Sequence, residues 1–211
     1  MNSAGPRRAW DHLGRCARVS VLLLSIAVLA LTGCTADGGS ESTGGATEAA
    51  QDLPNLTDCP AFTGQPASGA ETLPDLSLPC LDGEGGELIL GTAPGVPLVV
   101  TLWATWCGPC RDELPLFSQV YAATDREQLL VAGVVTRDGP GLAAEFIVDL
   151  RVEFPSGIDE NGDLYIAKGL RGLPGTFFVN ADGSLAHAEL APIASYEDLT
   201  GLIQQHLGVT V

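Results

Sequence analysis

The segment "WATWCGPCRDELP", residues 103–115, decides how the rest of the chain is read. It holds Cys107 and Cys110, separated only by Gly108 and Pro109. Upstream, "VPLVVTLWAT" (96–105) is an apolar, β-branched run, the pattern of a strand buried on both faces. Downstream, Gly108 to about Ala123 reads as a helix with Leu114, Phe117 and Tyr121 on one side. The two cysteines therefore stand where a buried strand gives way to a helix. Gly108 permits the tight turn, and Pro109 suits the first helical turn, where no hydrogen-bond donor is lost. At the helix start, orphan N–H groups and the macrodipole favour an anion, so the Cys107 thiol pKa should fall and thiolate becomes available. Cys110, one turn inside, is shielded yet close enough to resolve a mixed disulfide at high effective molarity. The spacing thus points to a redox couple with Cys107 as nucleophile. A zinc site would be incomplete: there is no second C-x-x-C, and His187 and His206 lie far downstream. No metal site is expected. A purely structural clasp fits poorly beside an exposed Trp106.

Working outward, the chain alternates between strand and helix patterns. "LPDLSLPCLDG" (73–83) and "GELILG" (86–91) read as a short strand pair before the core. Pro115 falls inside the first helix and should kink it by removing a donor and crowding the Arg111 carbonyl. "QLLVAGVVT" (128–136) is a second buried strand. "GLAAEFIVDLRV" (141–152) is a helix whose faces are set by Leu142, Phe146 and Asp149–Leu150. A short strand near 154–158 and a helix near 163–168 follow. "GTFFVN" and "LAHAEL" form a hairpin around Asp182-Gly183, a strong turn signal. Residues 195–207 make a last helix with Ser195 as N-cap and Asp198 three positions on. This order predicts an α/β fold: a central mixed sheet flanked by helices on both faces, with an N-terminal strand pair.

The N-terminal third reads differently. Residues 1–18 carry Arg7, Arg8, Arg15 and Arg18 against Asp11, and "VSVLLLSIAVLAL" (19–31) is uncharged. Thirteen apolar residues fall short of the about 20 that span a bilayer, but suit a secretory signal. The run ends in "LTGC" (31–34), which resembles the lipobox of bacterial lipoproteins. That resemblance implies a signal peptide over 1–33, a diacylglycerol thioether on Cys34, and a protein held by lipid at the extracytoplasmic face of the cell membrane. "TADGGSESTGGATEAAQD" (35–52) has no aromatic residue and no Leu, Ile or Val, so it is expected to be a disordered tether. Eighteen such residues have a root-mean-square span of roughly 20–25 Å. The expected division is 1–33 signal, 34–58 anchor and linker, and 59–211 one globular domain.

The whole chain carries 10 basic and 26 acidic side chains. Without the four arginines and one aspartate of residues 1–33, 6 basic and 25 acidic ones remain, a net charge of −19. Nucleic acid is an unsuitable partner, because phosphate neutralisation needs clustered Lys and Arg. Anionic lipid would also repel the domain, so covalent lipid rather than charge must hold it at a membrane. Outside the cytoplasm cysteines tend to pair. With Cys34 lipidated and Cys107 and Cys110 forming the redox couple, Cys59 and Cys80 are each other's simplest partner. The rival reading makes them a second couple that exchanges with the first.

"WATWCGPCRDELPLF" together with "GLPGTFFVNADGSL" resembles the thioredoxin superfamily, and in particular its membrane-anchored TlpA/ResA-like branch. The likeness covers roughly residues 70–208. It implies an extracytoplasmic thiol–disulfide oxidoreductase with no cofactor, some members of the branch serving cytochrome c maturation. It also implies exported protein thiols or disulfides as substrates and a membrane electron-transfer protein that recycles the dithiol. Pro174 matches the superfamily's cis-proline, which lies against the dithiol, and Leu173 would offer its backbone to a bound peptide. Trp106, Gly108 and Pro109 would border the substrate. Cytoplasmic thioredoxins bury an Asp in the strand before the motif, and here Thr101 stands in its place. In this branch the matching acid is Glu113, three residues after Cys110, either relaying protons or raising the thiol pKa by its charge. A second departure is Gly175, where the family often has Thr. The direction of exchange stays open: Gly-Pro between the cysteines resembles reducing thioredoxins, while an oxidase that introduces disulfides is the alternative. A copper chaperone of similar fold would need C-x-x-x-C and a positioned histidine, for which His187 is the sole candidate.

Overall fold

The computed structural model describes residues 58–211. The expected signal, the lipidation site Cys34 and all but the end of the linker lie outside the described residues. Eleven elements follow in the order β1 (Leu76–Pro79), β2 (Glu87–Leu90), β3 (Leu98–Trp103), α1 (Gly108–Ala123), β4 (Leu130–Thr136), α2 (Pro140–Leu150), β5 (Ser156–Asp159), α3 (Asp163–Ala167), β6 (Gly175–Val179), β7 (Leu185–Glu189) and α4 (Tyr196–Leu207). β3 to β7 make one mixed sheet in the order β5-β4-β3-β6-β7, and β1 and β2 pair as a separate antiparallel ribbon. β3, β4 and β5 run parallel, β6 is antiparallel to β3, and β7 is antiparallel to β6.

Central strand β3 explains the architecture. All six of its residues are buried, and successive side chains point to opposite faces. Val99 and Trp103 enter a core completed by Leu114, Phe117 and Val120 of α1, Phe146 and Ile147 of α2, and Leu199 and Ile203 of α4. Leu98, Val100 and Leu102 enter the opposite core with Leu164 of α3 and Leu78, Leu88 and Leu90 of the ribbon. The mixed sheet, the helices on both faces and the N-terminal strand pair are as the sequence predicts. The two covers are unequal, though. α3 has five residues, so the ribbon supplies much of the second face.

Local chemistry accounts for the element ends. Ser195 caps α4, its hydroxyl accepting the Asp198 N–H at 3.1 Å and donating to the Asp198 carboxylate at 2.7 Å. The β6–β7 turn places Gly183 at φ 86°, with Ala67 so near that a side chain would meet its Cα at 2.8 Å. α1 runs through Pro115 as one helix. The expected faces of α2 need correction. Leu142, one turn ahead of the buried Phe146, is exposed, and Ala143, Ala144, Phe146 and Ile147 are the buried positions, so the packed face runs through the two alanines. Among the described residues, no helix is long and apolar enough to cross a membrane.

The ribbon is tied at its root by a disulfide between Cys59 and Cys80, 21 positions apart, with Cα atoms separated by 6.1 Å. Cys80 forms a bridge to Gly157 of β5, and the Leu81 N–H bonds to the Ser156 carbonyl at 2.8 Å. The covalent link thereby fixes the N-terminal strap against the sheet edge. Loop-entropy reasoning puts such a closure at roughly 3 kcal/mol. Cys80→Ser is expected to lower unfolding free energy by about that amount while leaving exchange at Cys107 and Cys110 intact. Denaturant titration beside a disulfide-reduction assay checks it, and loss of exchange in a folded variant would contradict a purely structural link.

Candidate active site

The site sits at the carboxyl end of β3, where the strand stops at Trp103 and α1 starts at Gly108. Cys107 is the N-cap of α1, in extended conformation, and its Sγ accepts the Cys110 N–H at 3.2 Å. A sulfur that satisfies an orphan helix donor is stabilised as an anion by the same interaction. Pro109 occupies the first turn, as its fixed φ and missing N–H favour. Cys107 and Cys110 form a disulfide with Cα atoms 5.3 Å apart. Both residues are buried, Cys107 at the N-cap and Cys110 inside the first turn. Gly108 and Pro109 lie exposed beside them, and Trp106 is 59 % exposed.

The Leu173–Pro174 peptide bond is cis. It leads directly into β6, whose first residue, Gly175, is the register partner of Leu102. The Cys110 Sγ lies 4.0 Å from the Leu102 carbonyl oxygen. Leu173 packs against the core that contains both cysteines. Register and packing thus bring Leu173 and Pro174, 63 and 64 positions after Cys110, to the strand end that carries the dithiol turn.

Glu113 is the unexpected member in one respect: it is 2 % exposed, not a solvent-facing helix acid. One carboxylate oxygen accepts the Ile193 backbone N–H, from the segment that joins β7 to α4. The other has no hydrogen-bond partner. Burial pushes its pKa up to about 7; the Ile193 N–H draws it down and the Glu189 carboxylate adds to the rise. Asp159 is the other buried acid among the described residues, and the contrast is instructive. Its carboxylate accepts from Asp163 N–H, Leu164 N–H and the Thr136 hydroxyl, at 2.7, 3.0 and 3.2 Å. Asp159 is a satisfied cap for α3, whereas Glu113 is held with one oxygen unpaired on the dithiol helix. Thr101 is buried in β3, paired in register with Gly133 and Thr176, so no titratable side chain replaces it there.

Several neighbours escaped the sequence reading. Asp138 accepts both the N–H and the hydroxyl of Thr105 at 2.7 Å, and its other oxygen takes the Gly139 N–H at 2.9 Å. The Trp106 indole N–H donates to the Arg137 carbonyl at 3.2 Å. The β4–α2 loop therefore holds the approach to Cys107 from the side. An acid just past the carboxyl end of a central parallel strand was the available signal. Ile193 left none, since its part is played by a backbone N–H. His187 and His206, 19 positions apart in sequence, stack face to face with ring centroids 3.9 Å apart. Desolvation and the neighbouring His187 lower the His206 pKa. Cys59, in the segment before β1, and Cys80, in the turn after it, are bonded to each other and not to this pair.

Comparison with known proteins places this geometry. Thiol:disulfide interchange proteins are among the relatives: CycY of Rhizobium leguminosarum is 32 % identical over 54 % of this chain and 61 % of its own length. A DsbE homologue of Paracoccus denitrificans is 34 % identical over 51 % of this chain and 56 % of its own. ResA of Bacillus thuringiensis, a thiol-disulfide oxidoreductase, is 25 % identical over 49 % of this chain. The chain spans about 60 % of the length of these ResA relatives. The structure of the DsbE candidate from Chlorobium tepidum aligns with a TM-score of 0.58 at 27 % identity, covering 67 % of this chain and 99 % of that one. A secreted Mycobacterium tuberculosis disulfide oxidoreductase homologous to E. coli DsbE aligns with a TM-score of 0.54 at 26 % identity, over 62 % of this chain and 96 % of its own. The fold is thioredoxin-like, and residues 70–188 match the AhpC/TSA family, to which the chain belongs.

Proposed function

We infer that the protein is a thiol–disulfide oxidoreductase working through Cys107 and Cys110, held by a lipid on Cys34 at the extracytoplasmic face of the membrane. It reduces disulfides of exported proteins, those of cytochrome c maturation among its clients. A membrane electron-transfer protein returns the dithiol to its reduced state. The observation that carries the reading is the Cys107 sulfur at the α1 N-terminus, with the cis Leu173–Pro174 bond beside it. The names of the CycY, DsbE and ResA relatives support it.

In the reducing direction, the Cys107 thiolate attacks one sulfur of the substrate disulfide and expels the other as thiolate. The Cys110 thiol then loses its proton and attacks the Cys107 sulfur, releasing the second substrate thiol. Two electrons pass from the dithiol to the substrate, and the enzyme is left as the disulfide. Glu113, one helical turn from Cys110, is placed to take that proton, because a carboxyl with a pKa of about 7 exists in both forms near neutrality. Running the same steps backward oxidises substrate thiols, so net direction follows reduction potentials and the recycling partner.

Two outcomes test these roles. Cys110→Ser should accumulate a mixed disulfide between Cys107 and a substrate, whereas Cys107→Ser should abolish exchange; non-reducing gels and mass spectrometry read both. Trapping by Cys107→Ser alone would reverse the assignment. For Glu113, the sign of the pH effect is fixed by its raised pKa. Between the ordinary 4.5 and about 7, the folded protein holds a proton that the unfolded chain has released. Stability therefore falls as pH rises through that window, by on the order of 3 kcal/mol, and stays reduced above it. Glu113→Gln cannot ionise, so its unfolding free energy should lack this fall, and its Cys107 pKa should drop because a negative charge is gone. Denaturation across the window and thiolate absorbance titration measure the two effects. Parallel stability curves and an unmoved thiol titration would remove Glu113 from the mechanism.

A further inference from the structure

His187 stands in the middle of β7 and His206 in the last turn of α4. Their rings lie 3.9 Å apart and 3° from parallel, a face-to-face stack that joins the strand to the helix. The Phe178 ring of β6 sits 5.8 Å from one and 5.9 Å from the other. Both histidines are partly exposed, so protons reach them from solvent. The charged group beside them is Glu189, whose Oε2 lies 3.7 Å from the His187 Nε2. The other Glu189 oxygen accepts the Ala191 N–H at 3.0 Å, and two residues on the Ile193 N–H donates to Glu113. One short segment therefore runs from the stack to the buried carboxyl on the dithiol helix. The remaining neighbours bring little charge. Phe178 has none, α1 brings Glu113 by way of Ile193, and Glu197 and Asp198 sit at the opposite end of α4.

Neutral rings stack without repulsion, and a single proton on the pair is balanced by the Glu189 carboxylate. A second proton sets two like charges 3.9 Å apart with one carboxylate between them. Unit charges about 4 Å apart in a water-like medium disfavour each other by roughly fivefold in an equilibrium constant. Desolvation, then His187, lower the His206 pKa from its ordinary 6.5, and Glu189 opposes them. A group whose pKa is lowered in the closed contact takes its proton more readily once the contact opens. Opening is therefore favoured as pH falls below 6.5. We propose that the His187–His206 stack is an acid-sensitive latch: it holds α4 to β7 while it carries at most one proton, and a second proton parts the rings and loosens the 190–194 segment that supplies the Ile193 N–H to Glu113. The consequence for exchange, a dithiol whose proton acceptor loses its anchor in acid, rests on the role given to Glu113 above.

The test is hydrogen–deuterium exchange of the full-length protein, read by mass spectrometry at about pH 7.5 and about pH 5 and corrected for intrinsic rates. In wild type, peptides from 190–207 should exchange about fivefold faster in acid, while those from α2 keep their protection. His187→Gln and His206→Gln each leave one imidazole, so the acid response should be lost in both. His206→Phe keeps a ring in the stack without a proton, and it too should show no response, which covers any loosening of the helix by Gln. Glu113 titrates in the same window, and Glu113→Gln separates its effect: the acid response should persist in that variant. A response that persists in the histidine variants, or one that vanishes in Glu113→Gln, overturns the latch, as does a wild type with no response. Amide exchange needs no disulfide chemistry, so a protein that reduces no disulfide would refute the dithiol reading and leave the latch to stand or fall on these peptides.

Discussion

The carboxyl of Glu113 is the constraint around which the site is arranged. It joins α1, which carries both cysteines, to the Ile193 backbone 80 positions away. Burying a carboxylate with one hydrogen bond is unfavourable, and the molecule answers by holding the proton to higher pH rather than by adding donors. The arrangement also fixes the segment between β7 and α4, whose Glu189 lies near enough to push the same pKa upward. A salt bridge would have given the opposite result, locking the group as an anion. What is kept instead is a carboxyl able to gain and lose a proton near neutrality beside two sulfurs that must do the same. Its negative form opposes a neighbouring thiolate and its neutral form does not, which is the physical basis of the proposed coupling between Glu113 and Cys107.

That coupling depends on what is absent from β3. Thr101 and Thr176 face each other across β3 and β6 and are both buried. Neither can titrate, so the strand beneath α1 contributes no competing charge. On the helix, Glu113 sits at the spacing that sets it alongside Cys110 rather than across a core layer. Asp138 has a different part. Its three short hydrogen bonds hold Thr105 and the start of α2, so the geometry of the turn into Cys107 is set by a fully engaged acid. Asp138 and Glu113 thus differ in kind, one fully engaged in shaping the turn and the other with one carboxylate oxygen unpaired.

The sequence made the local features legible. The apolar run of β3, the Gly-Pro turn, the Asp182-Gly183 hairpin and the Ser195 cap each rest on a few adjacent residues, and each lies where the pattern put it. α2 shows the limit of such reading: the apolar pattern joins Leu142 to Phe146, yet Leu142 is exposed and the packed face runs through Ala143 and Ala144. The Glu113 position could be named from likeness to a family, but its burial could not be seen, because the covering residues come from 191–194 and bond through backbone. The His187–His206 stack was invisible for the same reason: it needs β7 and α4 to be neighbours. Gly175 was noticed as a departure without a consequence. The side chains that stand where its own would be, Leu170 and Leu190, come from segments after α3 and after β7.

The positions of the two disulfides bear on whether they can communicate. Exchange needs an attacking sulfur in contact with, and in line with, a disulfide. Cys80 bridges to β5 at one edge of the sheet, and Cys59 packs with the core behind it. Cys107 and Cys110 stand over β3, two strands in, and belong to the core on the opposite face. Two strand spacings are about 10 Å, and the closely packed sheet lies between. Direct transfer from one pair to the other would require the ribbon to leave β5, carrying Leu78 and Leu88 out of contact with Gly157, where a single added methyl group would already meet them at 2.9 and 3.0 Å. Close packing of that kind resists partial displacement, so the ribbon disulfide acts on the strap it closes while the dithiol is left to its own substrate.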